Sequence, residues 1–198
     1  MIYRHRTLKS PRELRIFLDQ FSEQLRRRSG GGLRLQIPTS RIEGCTRVVG
    51  VFNSRDEMVG GYIVHDGPAL ILLSVIPDDA RAAWLADHPL ADQCELNLIW
   101  RNAGISHAAF ALRVWPRIIA ACVTNGRRWI LGSGYDNSLH RWYRSVRPQL
   151  IYAGPSTTSG IKVYIYAYTR ARIAATYVAS LLDNALVNPW RRRARARA

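Results

Sequence analysis

Residues 94–124 limit what this chain can fold into more than any other stretch. Cys94-Glu95-Leu96-Asn97-Leu98-Ile99-Trp100 alternates as a strand with two unlike faces does. Arg101-Asn102-Ala103-Gly104-Ile105-Ser106 follows without a linker. From His107 to Thr124 the spacing is helical, with Ala108, Ala111, Leu112, Trp115, Ile118, Ile119 and Cys122 on one face. Pro116 falls inside that pattern and predicts a kink; Asn125-Gly126 predicts the end. A strand that turns through small residues into a helix start gathers free backbone N–H groups at the positive end of the helix dipole. Gly104 would let a phosphate approach the backbone without a side chain in the way. Two readings stand on these residues alone, an anion site or a plain turn.

Upstream, Ser10-Pro11-Arg12-Glu13 has the signature of a helix start: a capping serine, a proline suited to the first turn, and glutamate three residues after the cap. Leu14, Phe17, Leu18, Phe21 and Leu25 then share a face. Ser29-Gly30-Gly31-Gly32 ends the helix. It lacks the lysine and hydroxyl residue of a P-loop and reads as a flexible connection. Residues 47–52 and 58–65 predict two strands joined by a polar turn, a hairpin. Residues 69–76 predict a further strand, 80–86 a short helical piece and 129–132 another strand. Asp136 or Asn137 caps a predicted helix that runs to Ser145. Residues 149–153 and 162–169 predict the last strands, and 173–187 a closing helix. This order makes a mixed α/β or α+β sheet with helices on its faces.

A chain of 198 residues, 47% hydrophobic, supports one core and not two. Residues 1–188 are read as that domain and 189–198 as an arginine-rich tail. No apolar run reaches the length of a membrane span. Residues 1–6 lack the apolar core of a signal peptide, so the expected location is cytoplasmic. Cys45, Cys94 and Cys122 are too far apart for a disulfide framework or a CxxC site, and the histidines have no ligand spacing. No metal is expected. The formal charge is +15, and Lys9 and Lys162 are the only lysines. The arginine fork grips phosphate and carboxylate. Nucleic acid, an anionic membrane, a phosphorylated cofactor and an acidic protein are therefore the candidate partners. A genome that favours arginine codons explains the same excess without a partner.

The wider order adds a resemblance. The 94–100 strand, the Arg101-Asn102-Ala103-Gly104-Ile105-Ser106 turn, the helix from His107, the strand Trp129-Ile130-Leu131-Gly132 and the stretch Asn137-Ser138-Leu139-His140-Arg141-Trp142-Tyr143 come in sequence, followed by two strands. Together they resemble the second half of the GNAT acyltransferase family, with the hairpin similar to its early strands. The resemblance implies a central mixed, mostly antiparallel sheet flanked by helices. It implies that Ile99, Trp100 and the turn residues Arg101, Asn102, Ala103, Gly104, Ile105 and Ser106 hold the pyrophosphate end of an acetyl-CoA or longer acyl-CoA, with Asn137 joining them. The strand at Trp129 would part from its neighbour to admit the pantetheine arm, and Tyr143 would protonate the departing thiolate. This sequence departs from the family at Ser106, where glycine or alanine is usual, and in the shorter spacing from Asn137 to Tyr143. Arg147-Pro148-Gln149-Leu150-Ile151-Tyr152-Ala153-Gly154-Pro155 is similar to the autoinducer-synthase and N-acyl amino acid synthase branch, whose donors are CoA or an acidic acyl carrier protein.

Glu95 is the best-placed carboxylate for a general base. Alternation puts Glu95, Asn97 and Ile99 on one face of the strand, and Leu96, Leu98 and Trp100 on the other. A base must take a proton from an ammonium acceptor before it attacks. His107 and His140 are alternative bases, while Cys94 and Cys122 read as buried and structural. Tyr164, Tyr166 and Tyr168 share a face opposite Val163, Ile165 and Ala167, which suits packing or the stacking of bases. The reading is an N-acyltransferase in which an amine attacks the thioester directly. Its alternative is a non-catalytic module of the same shape that docks RNA or an acidic protein.

Overall fold

A computed structural model describes residues 2–28, 37–134 and 148–182. Asn137, His140, Tyr143 and the arginine-rich tail lie outside the described residues. The elements are β1 (Arg4–Thr7), α1 (Pro11–Arg28), α2 (Ser40–Glu43), β2 (Arg47–Phe52), β3 (Met58–His65), α3 (Asp78–Asp87) and β4 (Gln93–Arg101). Then come α4 (His107–Ala109), a π turn (Phe110–Val114), α5 (Trp115–Thr124), β5 (Trp129–Gly134), β6 (Gln149–Pro155), β7 (Lys162–Thr169) and α6 (Arg170–Leu182).

Helix α1 begins where its capping box is. The Glu13 N–H donates to Ser10 Oγ at 3.2 Å, and the Ser10 N–H donates back to Glu13 Oε2 at 3.2 Å. The strands form one sheet in the order β1-β2-β3-β4-β5-β7-β6. All neighbours are antiparallel except β4 and β5. Strand β1 has no apolar period to betray it. Its residues, Arg-His-Arg-Thr, are mostly exposed and pair with β2 through the backbone.

Helices cover both faces of the sheet. On one face Val49, Val51, Val59, Cys94 and Leu96 meet Phe110, Val114, Ile118 and Cys122. Tyr166 and Tyr168 pack there with Ile173 of α6. On the other face Val48, Phe52, Ile63 and Trp100 meet Leu14, Phe17, Leu18 and Phe21 of α1. Leu131, Val163, Ile165 and Ala167 continue that face under Trp84 and the apolar residues of 70–76. Each fully buried large side chain, Phe17 and Ile63 among them, contributes about 1.5–3 kcal/mol.

Two expectations change. Residues 69–76 form no strand. Leu70, Leu72, Leu73 and Ile76 are buried around a 3-10 turn at Leu73–Val75, so burial and not sheet pairing explains the apolar run. The helix after His107 buries Ile118, Ile119 and Cys122 as expected, but before Pro116 it turns a different face inward. Pro116 has no N–H, and its ring would crowd a carbonyl one turn back. The chain relieves this with a π turn, in which the Trp115 N–H bonds to the Phe110 carbonyl. The wider turn shifts the phase. Phe110, Val114, Ile118 and Cys122 point inward, and Leu112 is 60% exposed.

Candidate functional site

Strands β4 and β5 run paired from Gln93↔Trp129 to Leu96↔Gly132, and their ladder stops there. Beyond it β4 stays with β3 as far as Arg101, and β5 stays with β7 as far as Gly134. The sheet is therefore slotted in its middle. The break coincides with a bulge. Asn97 faces Ile63 and Trp100 faces Gly61, so Leu98 and Ile99 stand against Tyr62 alone. Leu98 takes φ 45°, a conformation that costs a leucine about 1–2 kcal/mol. Asn97 Oδ1 accepts the Leu98 N–H at 2.8 Å and supports it. The extra residue overturns the expected alternation. Ile99 joins Leu96 on the α4–α5 face, while Trp100 joins Glu95 and lies edge-on to Phe17 at 5.8 Å.

Beside the slot is the turn. Asn102 fixes it: its N–H donates to the Val59 carbonyl at 3.0 Å, its Nδ2 to the Met58 carbonyl at 3.2 Å, and its Oδ1 accepts the Gly104 N–H at 2.8 Å. Arg101 Nη1 donates to the Ile105 carbonyl at 3.2 Å. Ser106 caps the helix by accepting the Ala109 N–H at 3.1 Å. Among the described residues, nothing accepts from the N–H groups of Ser106, His107 and Ala108. These amides start a continuous helical run and make a ready anion cradle.

Of the expected cofactor-binding residues, Ala103, Gly104 and Ser106 are exposed at this turn and Arg101 is half-buried beside it. The Ile105 side chain and the Trp100 indole are in the core, so any ligand contact of these two falls to their backbone. Ile99 packs against the α4–α5 face, and the Asn102 side chain shapes the turn. Gly104 has a packing reason to be glycine. A Cβ there would lie 2.6 Å from Val59 Cγ1 and 3.0 Å from Asn102 Oδ1.

Glu95 is fully buried. Its Oε1 accepts the Ile71 N–H at 3.0 Å and its Oε2 the Leu72 N–H at 2.8 Å. Burial pushes its pKa up to about 7 against the opposing pull of those two amides and of Arg41. The carboxylate thus stands behind the Ile71–Leu72 backbone as a clamp on it. On the same face, at the slot, lies a pocket of about 610 Å³ including its open mouth. Asn97, Leu98 and Ser133, just past the end of the β4–β5 ladder, line it together with Ile71, Leu72, Val75, Val163 and Ile165. Arg41 and Ile42 of α2 and Ser156, Thr158 and Ser159 of the β6–β7 loop also line it. Asn97 had a visible signal, an amide in the middle of an apolar strand. Arg41 had none, being one arginine among many.

The remaining candidates are settled by burial. Cys94 and Cys122 are fully buried, and burial pushes the Cys94 thiol up to about 11, which makes it inert. Tyr166 and Tyr168 are core residues, and Tyr164 stacks on Tyr166 at 6.4 Å, the packing alternative. His107 is exposed at the helix start. Among the described residues no helix is long and apolar enough to cross a membrane, and no group of three His, Cys, Asp or Glu side chains could hold a metal ion.

The sequence matches no family model and no curated protein. Solved structures do match. FeeM, an N-acyl amino acid synthase from uncultured soil microbes, superimposes with a TM-score of 0.66 at 15% identity, over 86% of this chain and 92% of that one. The loading GNATL domain of CurA from Lyngbya majuscula gives 0.57 at 11% identity, over 86% and 99%. A GNAT-family acetyltransferase from Listeria monocytogenes gives 0.56 at 14% identity, over 84% and 94%. The fold of this chain is the GNAT fold, with the mostly antiparallel sheet that the resemblance implied.

Proposed function

We propose that this GNAT-fold chain is an N-acyltransferase. One observation carries the reading: β4 parts from β5 beside the turn with the unpaired amides. A thioester arm laid through that slot would join the turn to the pocket on the opposite face. In this reading the N–H groups of Ser106, His107 and Ala108, with Arg101, hold the pyrophosphate of acetyl-CoA or a longer acyl-CoA, and Asn137 adds a contact. The amine nitrogen attacks the thioester carbon, so a C–N bond forms as the C–S bond breaks. The thiolate takes its proton from Tyr143, and the proton lost by the ammonium replaces it. The products are an amide and a free thiol. Glu95 has the pKa of a general base but is sealed by Ile71 and Leu72. It serves as a base only if that wall lifts, and otherwise as the clamp that shapes the pocket. The likeness to FeeM, an N-acyl amino acid synthase, supports an amino acid acceptor. The basic composition suits an acyl carrier protein as an alternative donor.

The test is ligand-dependent stability. A ligand of the native state at a hundred times its Kd stabilises by about 2.7 kcal/mol. Acetyl-CoA or dodecanoyl-CoA should therefore raise the melting temperature clearly. Free-thiol release on adding amines should then fall strongly in Tyr143→Phe with donor affinity unchanged. No shift with either donor, together with salt-sensitive RNA binding, would replace this reading with the non-catalytic one.

A further inference from the structure

We infer that the pocket on the Glu95 face is built for an acceptor with a carboxylate beside its amine and an aliphatic body, an apolar amino acid or close analogue, with Arg41 as the carboxylate partner. This rests on the acyltransferase reading for the fate of the amine, but the carboxylate subsite stands on its own geometry.

Arg41 is the charged residue of the lining; the others are aliphatic or carry a hydroxyl or amide. The guanidinium is held in place. Its Nη2 donates to Ser74 Oγ at 2.8 Å, and that hydroxyl donates onward to the Ile71 carbonyl at 2.8 Å. Among the described residues no carboxylate comes within ion-pair distance of Arg41. Glu95, the acid that feels its charge, forms no ion pair with it and spends both oxygens on the Ile71 and Leu72 amides. A guanidinium in a mostly aliphatic lining, with donors to spare and no ion-paired carboxylate among the described residues, favours an anion, and its fork fits a carboxylate. Ile42, Leu72, Val75, Leu98, Val163 and Ile165 supply an aliphatic enclosure for a hydrocarbon body. At the slot the surface turns polar. The Asn97 amide is oriented there by the Leu98 N–H on its Oδ1, with Ser133 across from it. A ligand in this pocket meets one cation, Arg41, and, at the parted strands where a thioester would arrive, the neutral polar groups of Asn97 and Ser133.

Calorimetry on the full chain tests this with L-leucine and isoamylamine, which share hydrocarbon and amine and differ by the carboxylate. L-leucine should bind at least tenfold more tightly. Arg41→Gln should erase that difference and leave isoamylamine unaffected, with a thermal melt confirming that the variant folds. Equal affinities, an equal loss of both in Arg41→Gln, or no binding of either would overturn the inference. If leucine binds through Arg41 while no acyl-CoA binds, the acyltransferase reading falls and the subsite stands. If acyl-CoA binds and both amines are acylated equally, the reverse holds.

Discussion

At its Gln93 end β4 is locked on every side; at its Arg101 end it is released from β5. Gln93 is fully buried, with Oε1 accepting the Trp84 Nε1–H at 2.9 Å and Nε2 donating to the His88 carbonyl at 2.6 Å. His88 stacks on Trp84 at 3.5 Å, and Trp129 meets both rings edge-on. Nearby Arg127 faces Asp66 at 3.7 Å. At the open end a bulge and a left-handed Leu98 replace the ladder, supported by one hydrogen bond from the Leu98 N–H to the Asn97 side chain. The contrast shows how a slot is held open: two strands fixed at one end and turned apart at the other need no side chain to wedge them. Rigidity sits at the locked end, and the groups free to bind sit at the parted end.

Mutations can break each end separately. The largest effect is expected at the locked end. Trp84→Ala removes a buried ring and strands the Gln93 oxygen, and should cost about 3–5 kcal/mol in denaturant unfolding. The surviving folded fraction should keep its ligand affinity. A loss below about 1 kcal/mol would show that the aromatic lock is ornamental.

Glu95 links the ends, and its effect depends on pH. Its folded pKa of about 7 lies above the ordinary 4.5. As pH rises the unfolded chain releases this proton first, so the stabilisation is complete below pH 4.5 and lost by about pH 7. The loss amounts to about 3 kcal/mol. Glu95→Gln cannot titrate there, so the stability of the wild type relative to the variant should fall across that window, while half-buried His5, whose pKa is held down to about 4, titrates alike in both. Parallel curves would mean that the carboxylate is solvated in solution. In turnover, disappearance of the limb near pH 7 in this variant identifies a base, whereas an unchanged profile with a raised acceptor KM identifies the clamp.

Smaller effects belong to the turn. Gly104→Ala presses a methyl group onto Val59 and should cost about 1–3 kcal/mol. A glutamate at 104 would accordingly disturb the fold as well as repel phosphate, so the alanine variant is the cleaner probe of the cradle. Unchanged stability would mean that β3 yields. Smallest of all in stability is Arg101→Ala, which removes one bond to the Ile105 carbonyl and should cost about 0.5–1.5 kcal/mol. It should still weaken acyl-CoA binding, and more at low salt than at high. Salt-independent weakening would take the arginine away from the phosphates.

Local chemistry makes part of this protein legible in its sequence alone. The capping box at Ser10, the 47–65 hairpin, the two-faced β7 and the strand-turn-helix at 94–124 are written in neighbouring residues, because caps, turns and periods act over a few positions. Tertiary structure decided the rest. The bulge at Leu98 reversed the faces of Ile99 and Trp100, since a period of two assigns faces only while the ladder is regular. The π turn before Pro116 shifted the inward face of the helix's first half, putting Phe110 and Val114 inside in place of Leu112. Strand β1 exists because β2 had a free edge, not because Arg-His-Arg-Thr prefers to be a strand. Residues 69–76 turn on themselves instead of pairing in the sheet, with the Ser74 N–H on the Leu70 carbonyl and the Ile71 and Leu72 amides on Glu95. The pocket draws Arg41, Asn97, Ser133 and Ser156 from separate segments. No spacing along a chain encodes such a meeting; only the packing of the sheet brings them together.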